Sequence, residues 1–304
     1  MQSNPHPDIT DNIEQDLFSI SSKPIKNFQF IRARSGIYVY RCLYGGLPAV
    51  AKYFEKEEDR REILNYHILA RHGIPTIKTF ALADATLVME DISESEDWRP
   101  GIAEDLRDVA IAKCLARWYF TLHESGTAVP ELDSLYFEYD SITEDNLKLL
   151  VLKLPEANEL FTFLLTHYKE LHELIYKPSF TLTYNDFYWT NFVVHKDKTA
   201  AMMFDYNLMG RGYRFSDFRN VCWSMSDDAK TAFTSEYNQL YFDKHNHIRT
   251  EIEVLEKRVD DVMGPLFSLL VAFTEHENLP NWAKESKNDA INGSLLSNAK
   301  QLLL

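Results

Sequence analysis

Residues 181–217 read TLTYNDFYWTNFVVHKDKTAAMMFDYNLMGRGYRFSD, and the fold turns on how this stretch pairs with itself. Residues 192–195 and 200–204 are apolar, β-favouring runs separated by the polar Lys196-Asp197-Lys198-Thr199, the pattern of two antiparallel strands and their turn. Folding back on that turn sets the start of the first strand beside the end of the second. Asn191 lies just before the first strand and Asp205 just after the second, so an amide oxygen and a carboxylate become neighbours at the open end of the hairpin. Hard oxygen donors of this kind, few in number and leaving room for water and phosphate oxygens, suit Mg²⁺ better than a soft metal. Asp186 follows a further short strand at 181–184, so its carboxylate faces the same spot as the candidate base for an incoming hydroxyl. Together the three side chains imply a magnesium-dependent phosphoryl-transfer site.

Outward from this hairpin, the N-terminal part reads as β-rich. Residues 37–44 and 47–54 flank Gly45-Gly46, a pair suited to the positive φ angles of a two-residue hairpin turn. A helix follows over 57–72, with Glu62, Tyr66 and Leu69 along one face and Gly73 and Pro75 as stop signals, and then strands at 76–82 and 86–89. Beyond Glu90-Asp91 the texture changes to helices at 105–124, 156–175, 217–224, 229–244 and 250–276, with a further short helix expected within 288–304. A helical pattern at 13–20 opens the fold, and residues 1–10 are expected to be disordered. The expected architecture is α+β and two-lobed: a small β-rich N-lobe over 1–91, and a larger, mainly helical C-lobe over 92–304.

Lys52, late in the second strand of the Gly45-Gly46 hairpin and on the same side as Val50, is placed to hold an ammonium beneath nucleotide phosphates, and Glu62 on the next helix to fix its rotamer. With 304 residues, 45% of them hydrophobic, a sizeable core is available. The formal net charge of -14 disfavours nucleic acid and anionic membranes as partners and leaves room for a cationic substrate. No apolar run reaches the length of a membrane span and no signal-peptide pattern opens the chain, so a cytoplasmic protein is expected. Cys42, Cys114 and Cys222 have no metal-ligand spacing and read as reduced thiols.

These motifs, taken in order, resemble the aminoglycoside phosphotransferase and choline kinase-like family, whose fold is protein-kinase-like. The resemblance spans roughly residues 28–217: AVAK ends on Lys52, REIL carries Glu62, LVMED spans 87–91, and Asp186 to Asn191 matches an Asp-x-x-x-x-Asn loop. LARWYFTLHES at 115–125 is similar to the family's Leu-Ala and Leu-His pattern, with His123 expected to be packed rather than catalytic. The resemblance implies that Lys52, paired with Glu62, contacts the nucleotide phosphates, and that Ser35 and Gly36 belong to the phosphate-covering turn. It further implies that backbone groups near Glu90 and Ile92 meet the base of ATP or GTP, that Asp186 is the catalytic base, that Asn191 and Asp205 hold Mg²⁺, and that Asp217 is a later brace.

Two departures from the family pattern stand out. Tyr184 occupies the supporting position where the family usually has His, and Arg34-Ser35-Gly36-Ile37 has one glycine where a protein-kinase loop has three. The resemblance implies a kinase for a hydroxyl of an aminoglycoside-like, amino-alcohol or amino-sugar substrate. Choline-, sugar- or nucleoside-directed kinases of the same fold are the alternative, as is a catalytically silent nucleotide-binding relative. A protein kinase is disfavoured, because 206–217 is too short for an activation loop. Phe187, Tyr188 and Trp189 form an aromatic group beside the presumed acceptor site, expected either to pack inward or to stack on a substrate. The carboxylates Glu251, Glu253, Glu256, Asp260 and Asp261 read as a solvated helix face rather than a cationic pocket.

Overall fold

The computed structural model describes residues 6–247 and 251–304, with backbone only for 251–253. Two compact units arise, each drawn from separate stretches: up to residue 129 with 184–209 and 220–244, and 130–183 with 210–219 and the chain from 245 onward.

The first unit opens with α1 (Pro7–Phe18), β1 (Ile25–Arg34), β2 (Ile37–Tyr44), β3 (Leu47–Phe54), α2 (Arg61–Arg71), β4 (Thr79–Leu82) and β5 (Thr86–Glu90). The strands form an antiparallel sheet in the order β1-β2-β3-β5-β4. Gly45 and Gly46, at φ +58° and +87°, close the β2–β3 hairpin in the register Tyr44↔Leu47, as their sequence predicts. Tyr40, Cys42, Tyr44, Ala49 and Ala51 alternate onto one face and pack against Ile13 and Leu17 of α1. Helix α1 begins earlier than expected. Pro7 starts it, Thr10 is buried, and the His6 ring packs edge-on against Phe30 and Tyr38, so residues 6–10 are structured; residues 1–5 lie outside the described ones.

Next come β6 (Trp98–Pro100), which has no counterpart among the expected elements, and α3 (Val109–Gly126), capped by the Asp108 carboxylate on Ala110 N and Ile111 N. The chain continues through α4 (Glu144–Lys153), α5 (Asn158–Thr166), α6 (Tyr168–Ile175) and β7 (Thr181–Thr183). The single helix expected over 156–175 is thus two, divided at His167. The decisive hairpin follows as β8 (Phe192–His195) and β9 (Ala201–Met203), paired Phe192↔Met203 and extended by β6 on the other edge of β8. Last are β10 (Gly210–Gly212), α7 (Arg214–Ser224), α8 (Asp227–His245), α9 (Glu251–Glu275), α10 (Lys284–Asn292) and α11 (Ser294–Leu303). Gly293, at φ +87°, splits the expected C-terminal helix in two. Thr250, where the helix over 250–276 was expected to start, lies outside the described residues.

In the second unit α4, α5, α6, α9, α10 and α11 share a core that includes Leu147, Phe161, Leu171, Val262, Leu269 and Leu295. The acidic stripe of α9 is not a solvated face throughout. Asp260 is fully buried and accepts from Tyr139 Oη, from Ser216 Oγ at 2.7 Å and from Arg219 Nε at 2.9 Å, while Glu256 Oε1 accepts from Phe215 N at 2.7 Å. Gly264 leaves the room Arg219 needs, since a Cβ there would stand 2.6 Å from Nε. These carboxylates therefore anchor the start of α7 and are committed to internal partners, which also removes them as a cationic pocket. The side chains of Glu251 and Glu253 lie outside those described.

Asp260→Ala leaves the Arg219 guanidinium without its buried counter-charge and is expected to cost about 3–5 kcal/mol, read by chemical denaturation. A loss below about 0.5 kcal/mol, the range of an ordinary surface substitution, would show that the network does not hold α7.

Candidate active site

The site is assembled within the first unit. On β3 the backbone alternation that sends Ala49 and Ala51 into the α1 core sends Lys52 to the opposite face, where it is 6% exposed. There Lys52 Nζ donates to the fully buried Glu62 of α2 and, at 2.9 Å, to Asp205 Oδ1. Burial works to lower the Lys52 pKa, but the charges of Glu62 and Asp205 outweigh it and raise the value, so Lys52 is an ammonium. Burial raises the Glu62 pKa against the pull of Lys52. Glu62 itself is completely buried, with Lys52 Nζ as the donor to its carboxylate.

The β8–β9 ladder continues one step beyond the Phe192↔Met203 pair: Phe204 N donates to Asn191 O at 3.0 Å, which brings Asn191 and Asp205 side by side as the hairpin reading requires. Asn191 Nδ2 donates to Asp186 O at 3.1 Å and to Asp186 Oδ2 at 3.0 Å, closing the Asp-x-x-x-x-Asn loop on itself. Its Oδ1 accepts only from the exposed Thr190 hydroxyl, at 3.1 Å, among the described contacts. Burial first, and then the nearby Asp205 charge, push the Asp186 carboxyl up to about 6, opposed by the Asn191 hydrogen bond and by Lys52. Asp186, Asp205 and Lys52 are thus close enough to sense one another's charge.

Tyr184 fills the supporting place. Its buried phenol reaches Phe204 O at 2.6 Å and Asp205 O at 3.1 Å, tying the start of the 186–191 loop to the segment that follows β9. Tyr184, Trp118, Tyr66 and Tyr206 form a cluster of rings at 4.9–6.4 Å around that segment. Asn185 and Asp205, at φ +67° and +64°, both occupy the left-handed region that Asn and Asp tolerate best among non-glycine residues. Asn185 Nδ2 donates to Leu208 O at 3.0 Å, and Asn65 of α2 donates to Tyr206 O at 2.7 Å and Met209 O at 3.2 Å.

The remaining expected residues lie as follows. Ser35 and Gly36, at φ +53° and +91°, form the β1–β2 turn, where Gly36 O accepts from Glu55 N. Glu90 ends β5, its N and Oε1 both bonded to Lys78, and Ile92 opens a short helical turn capped by Asp91. None of these four makes a described contact with Lys52, Asp186 or Asp205. Asp217 is buried in the first turn of α7, in the second unit. His123 is buried against Tyr237 Oη at 2.8 Å, packed as expected. Phe187 turns inward and stacks on Phe192 at 6.0 Å, whereas Tyr188 is exposed and Trp189 half-buried beside it.

Sequence reasoning missed two supports. Asn65 had a usable signal, a polar side chain on the buried stripe three residues after Glu62. Gly101 had none: a Cβ there would stand 2.5 Å from Trp189 O and 2.6 Å from the Phe192 ring, so only glycine lets the β6 end lie against the 186–191 loop.

No protein-family model matches this sequence, and no curated protein matches it by sequence. Solved structures do match in three dimensions. They include a macrolide 2′-phosphotransferase from Brachybacterium faecium at 13% identity and TM-score 0.56, covering 93% of this chain and 98% of that one. A Plasmodium vivax ethanolamine kinase matches at 15% and 0.54, over 90% of this chain and 84% of that one. Spectinomycin phosphotransferase in complex with ADP and spectinomycin matches at 13% and 0.53, over 96% and 98%. At such identities the shared property is the fold, and it is the α+β, protein-kinase-like fold of small-molecule phosphotransferases. These neighbours are of the kinds that the sequence motifs resemble. Among the described residues no helix is long and apolar enough to cross a membrane.

Two outcomes check this geometry. The raised Asp186 value means that the folded state binds that proton more tightly than the unfolded chain, so its stabilising share is full below about pH 4 and is lost as pH rises through about 6. The thermal midpoint of wild type relative to Asp186→Asn should therefore fall across that window, and a pH-independent difference would remove the shift. Tyr184→Phe, which strips a buried hydroxyl from two backbone carbonyls, should lower stability by about 1–2 kcal/mol in denaturant titrations.

Proposed function

We propose that this protein is a small-molecule kinase that transfers the γ-phosphate of ATP or GTP to a substrate hydroxyl. The observation that carries the reading is the bridging of one buried ammonium, Lys52, between Glu62 and Asp205, beside an Asp186 locked to Asn191. Phosphoryl transfer asks of a protein mainly positioning and charge compensation, and this set supplies both. In this reading residues 1–91 form the nucleotide lobe, with Ser35 and Gly36 over the phosphates and the backbone near Glu90 and Ile92 at the base, and residues 92–304 form the catalytic and acceptor lobe.

The donor chemistry fits Mg²⁺: Asn191 Oδ1 and the partly exposed Asp205 carboxylate are hard oxygens, and Asp186 adds negative charge nearby. Asn191 and Asp205 would hold the ion, which when bound supplies charge neutralisation on the phosphate oxygens. Lys52 grips the phosphates, held in one rotamer by Glu62. Asp186 orients the acceptor hydroxyl and takes its proton; a value pushed up to about 6 is better matched to that task near neutral pH than an ordinary carboxylate. Asn191 Nδ2 engages Asp186 Oδ2 and so leaves Oδ1 for the acceptor.

For the acceptor we favour an aminoglycoside-like, amino-alcohol or amino-sugar compound. The net charge of -14 suits a cationic molecule, and the Tyr188 and Trp189 rings two and three residues past Asp186 suit a sugar face or a cationic nitrogen. A nucleotide-binding protein without turnover is the second reading, motivated by the single glycine of the phosphate-covering turn.

Asp186→Ala and Asp205→Ala are expected to reduce phosphorylation on the order of 10²- to 10⁴-fold while circular dichroism stays that of the folded protein. The assay incubates the protein with Mg²⁺ and ATP or GTP and a mixed acceptor library, and reads mass increments of one phosphoryl group. Full turnover by a folded Asp186→Ala protein would remove the base assignment; nucleotide binding without any product would favour the second reading.

A further inference from the structure

The β1 strand carries an irregularity that re-aims one side chain. Phe28 and Phe30 lie on the α1 face, against Tyr40 at 5.7 and 5.6 Å, so simple alternation would put Arg32 on that apolar face as well. The register slips between Phe30 and Arg32: Phe30 opposes Tyr40 but Arg32 opposes Val39, with Ile31 as the extra residue of a bulge. Val39 in turn opposes Lys52. Side chains directly opposed across neighbouring strands share a face, so the bulge places Arg32 on the Lys52 face, and Arg34, opposite Ile37, follows it there.

The guanidinium of Arg32 stands 3.9 Å from Asp205 Oδ2, while Lys52 holds Oδ1 of the same carboxylate at 2.9 Å. The two contacts differ in kind. Lys52 is buried, but the Arg32 side chain is 67% exposed, and an exposed ion pair at that distance is worth little and is readily exchanged for a better anion. In a chain with 46 acidic and 32 basic residues, two cations, Arg32 and Lys52, converge on Asp205, and Arg34 lies on the same sheet face.

Resting on the kinase reading above, we infer that Arg32 is a phosphate-binding residue that grips the nucleotide beyond its α-phosphate, supplying with a guanidinium fork what the glycine-poor β1–β2 turn lacks in closely approaching backbone amides. Arginine suits this task because its planar donors match phosphate oxygens two at a time. The bulge is then a device of the site, without which the side chain would face the α1 core.

The test titrates wild type, Arg32→Ala and Arg32→Lys with ATP, GTP and AMP in Mg²⁺ by isothermal calorimetry. Arg32→Ala should bind the triphosphate about 10- to 100-fold more weakly, the value of one lost charge-assisted contact, with AMP affinity and thermal midpoint unchanged and Arg32→Lys in between. Unchanged triphosphate affinity in Arg32→Ala, or an equal loss for AMP, overturns the assignment. A wild type that binds neither ATP nor GTP overturns the kinase reading itself, and that arm separates the two failures.

Discussion

Everything at the candidate site depends on one buried ammonium. Lys52 gives up most of its hydration, a loss its partners must offset, and it recovers that cost through a carboxylate from α2 and another from the segment after the β8–β9 hairpin. Three parts of the chain distant in sequence are thereby fixed to a single point. Either carboxylate taken away would leave the buried ammonium with a single counter-charge; α2 supplies its share from a glutamate at 0% exposure, on a buried stripe that otherwise holds Asn65 and apolar residues. Asn65, one turn farther along α2, adds a second tie to the same segment through Tyr206 O and Met209 O.

The loop geometry around this point is held under backbone strain. Two non-glycine residues, Asn185 and Asp205, lie in the left-handed region on either side of the Asp186–Asn191 loop and the hairpin. Such conformations persist only where surroundings over-determine them. Here Tyr184 Oη, Asn185 Nδ2 and Asn65 Nδ2 each satisfy carbonyls of the 204–209 segment, and a ring cluster fills the space behind it. Tyr184 therefore supplies a hydrogen-bond donor to this backbone, using a phenol set in an aromatic environment. A packed support of this kind favours a preformed loop.

Much of this was legible in the sequence because it is local. Gly45-Gly46 sets the β2–β3 register, and the period-two pattern separates Lys52 from Ala49 and Ala51. The spacing of Asn191 and Asp205 around a short hairpin makes them neighbours by geometry alone. The less legible parts share a cause. Asp260 and Glu256 read as a charged helix face because their partners Tyr139, Ser216, Arg219 and the Phe215 amide lie far away in the chain. Gly101 and β6 carry no periodic signal, since three residues pairing with β8 are too few to show one.

The sequence by itself determined the order and type of most elements around the site, β6 excepted, because alternation, turn residues and helix stops are written into neighbouring residues. It also determined which side chains are chemically able to hold phosphate, a hard cation or a proton. Only the tertiary structure decided which of them meet and in what ionic state. That Glu62 is wholly buried, that the Asp186 proton is held more tightly than usual, and that a bulge at Ile31 turns Arg32 toward Asp205 all follow from packing and register between distant strands and helices, and desolvation and Coulomb interaction exist only once those are in place.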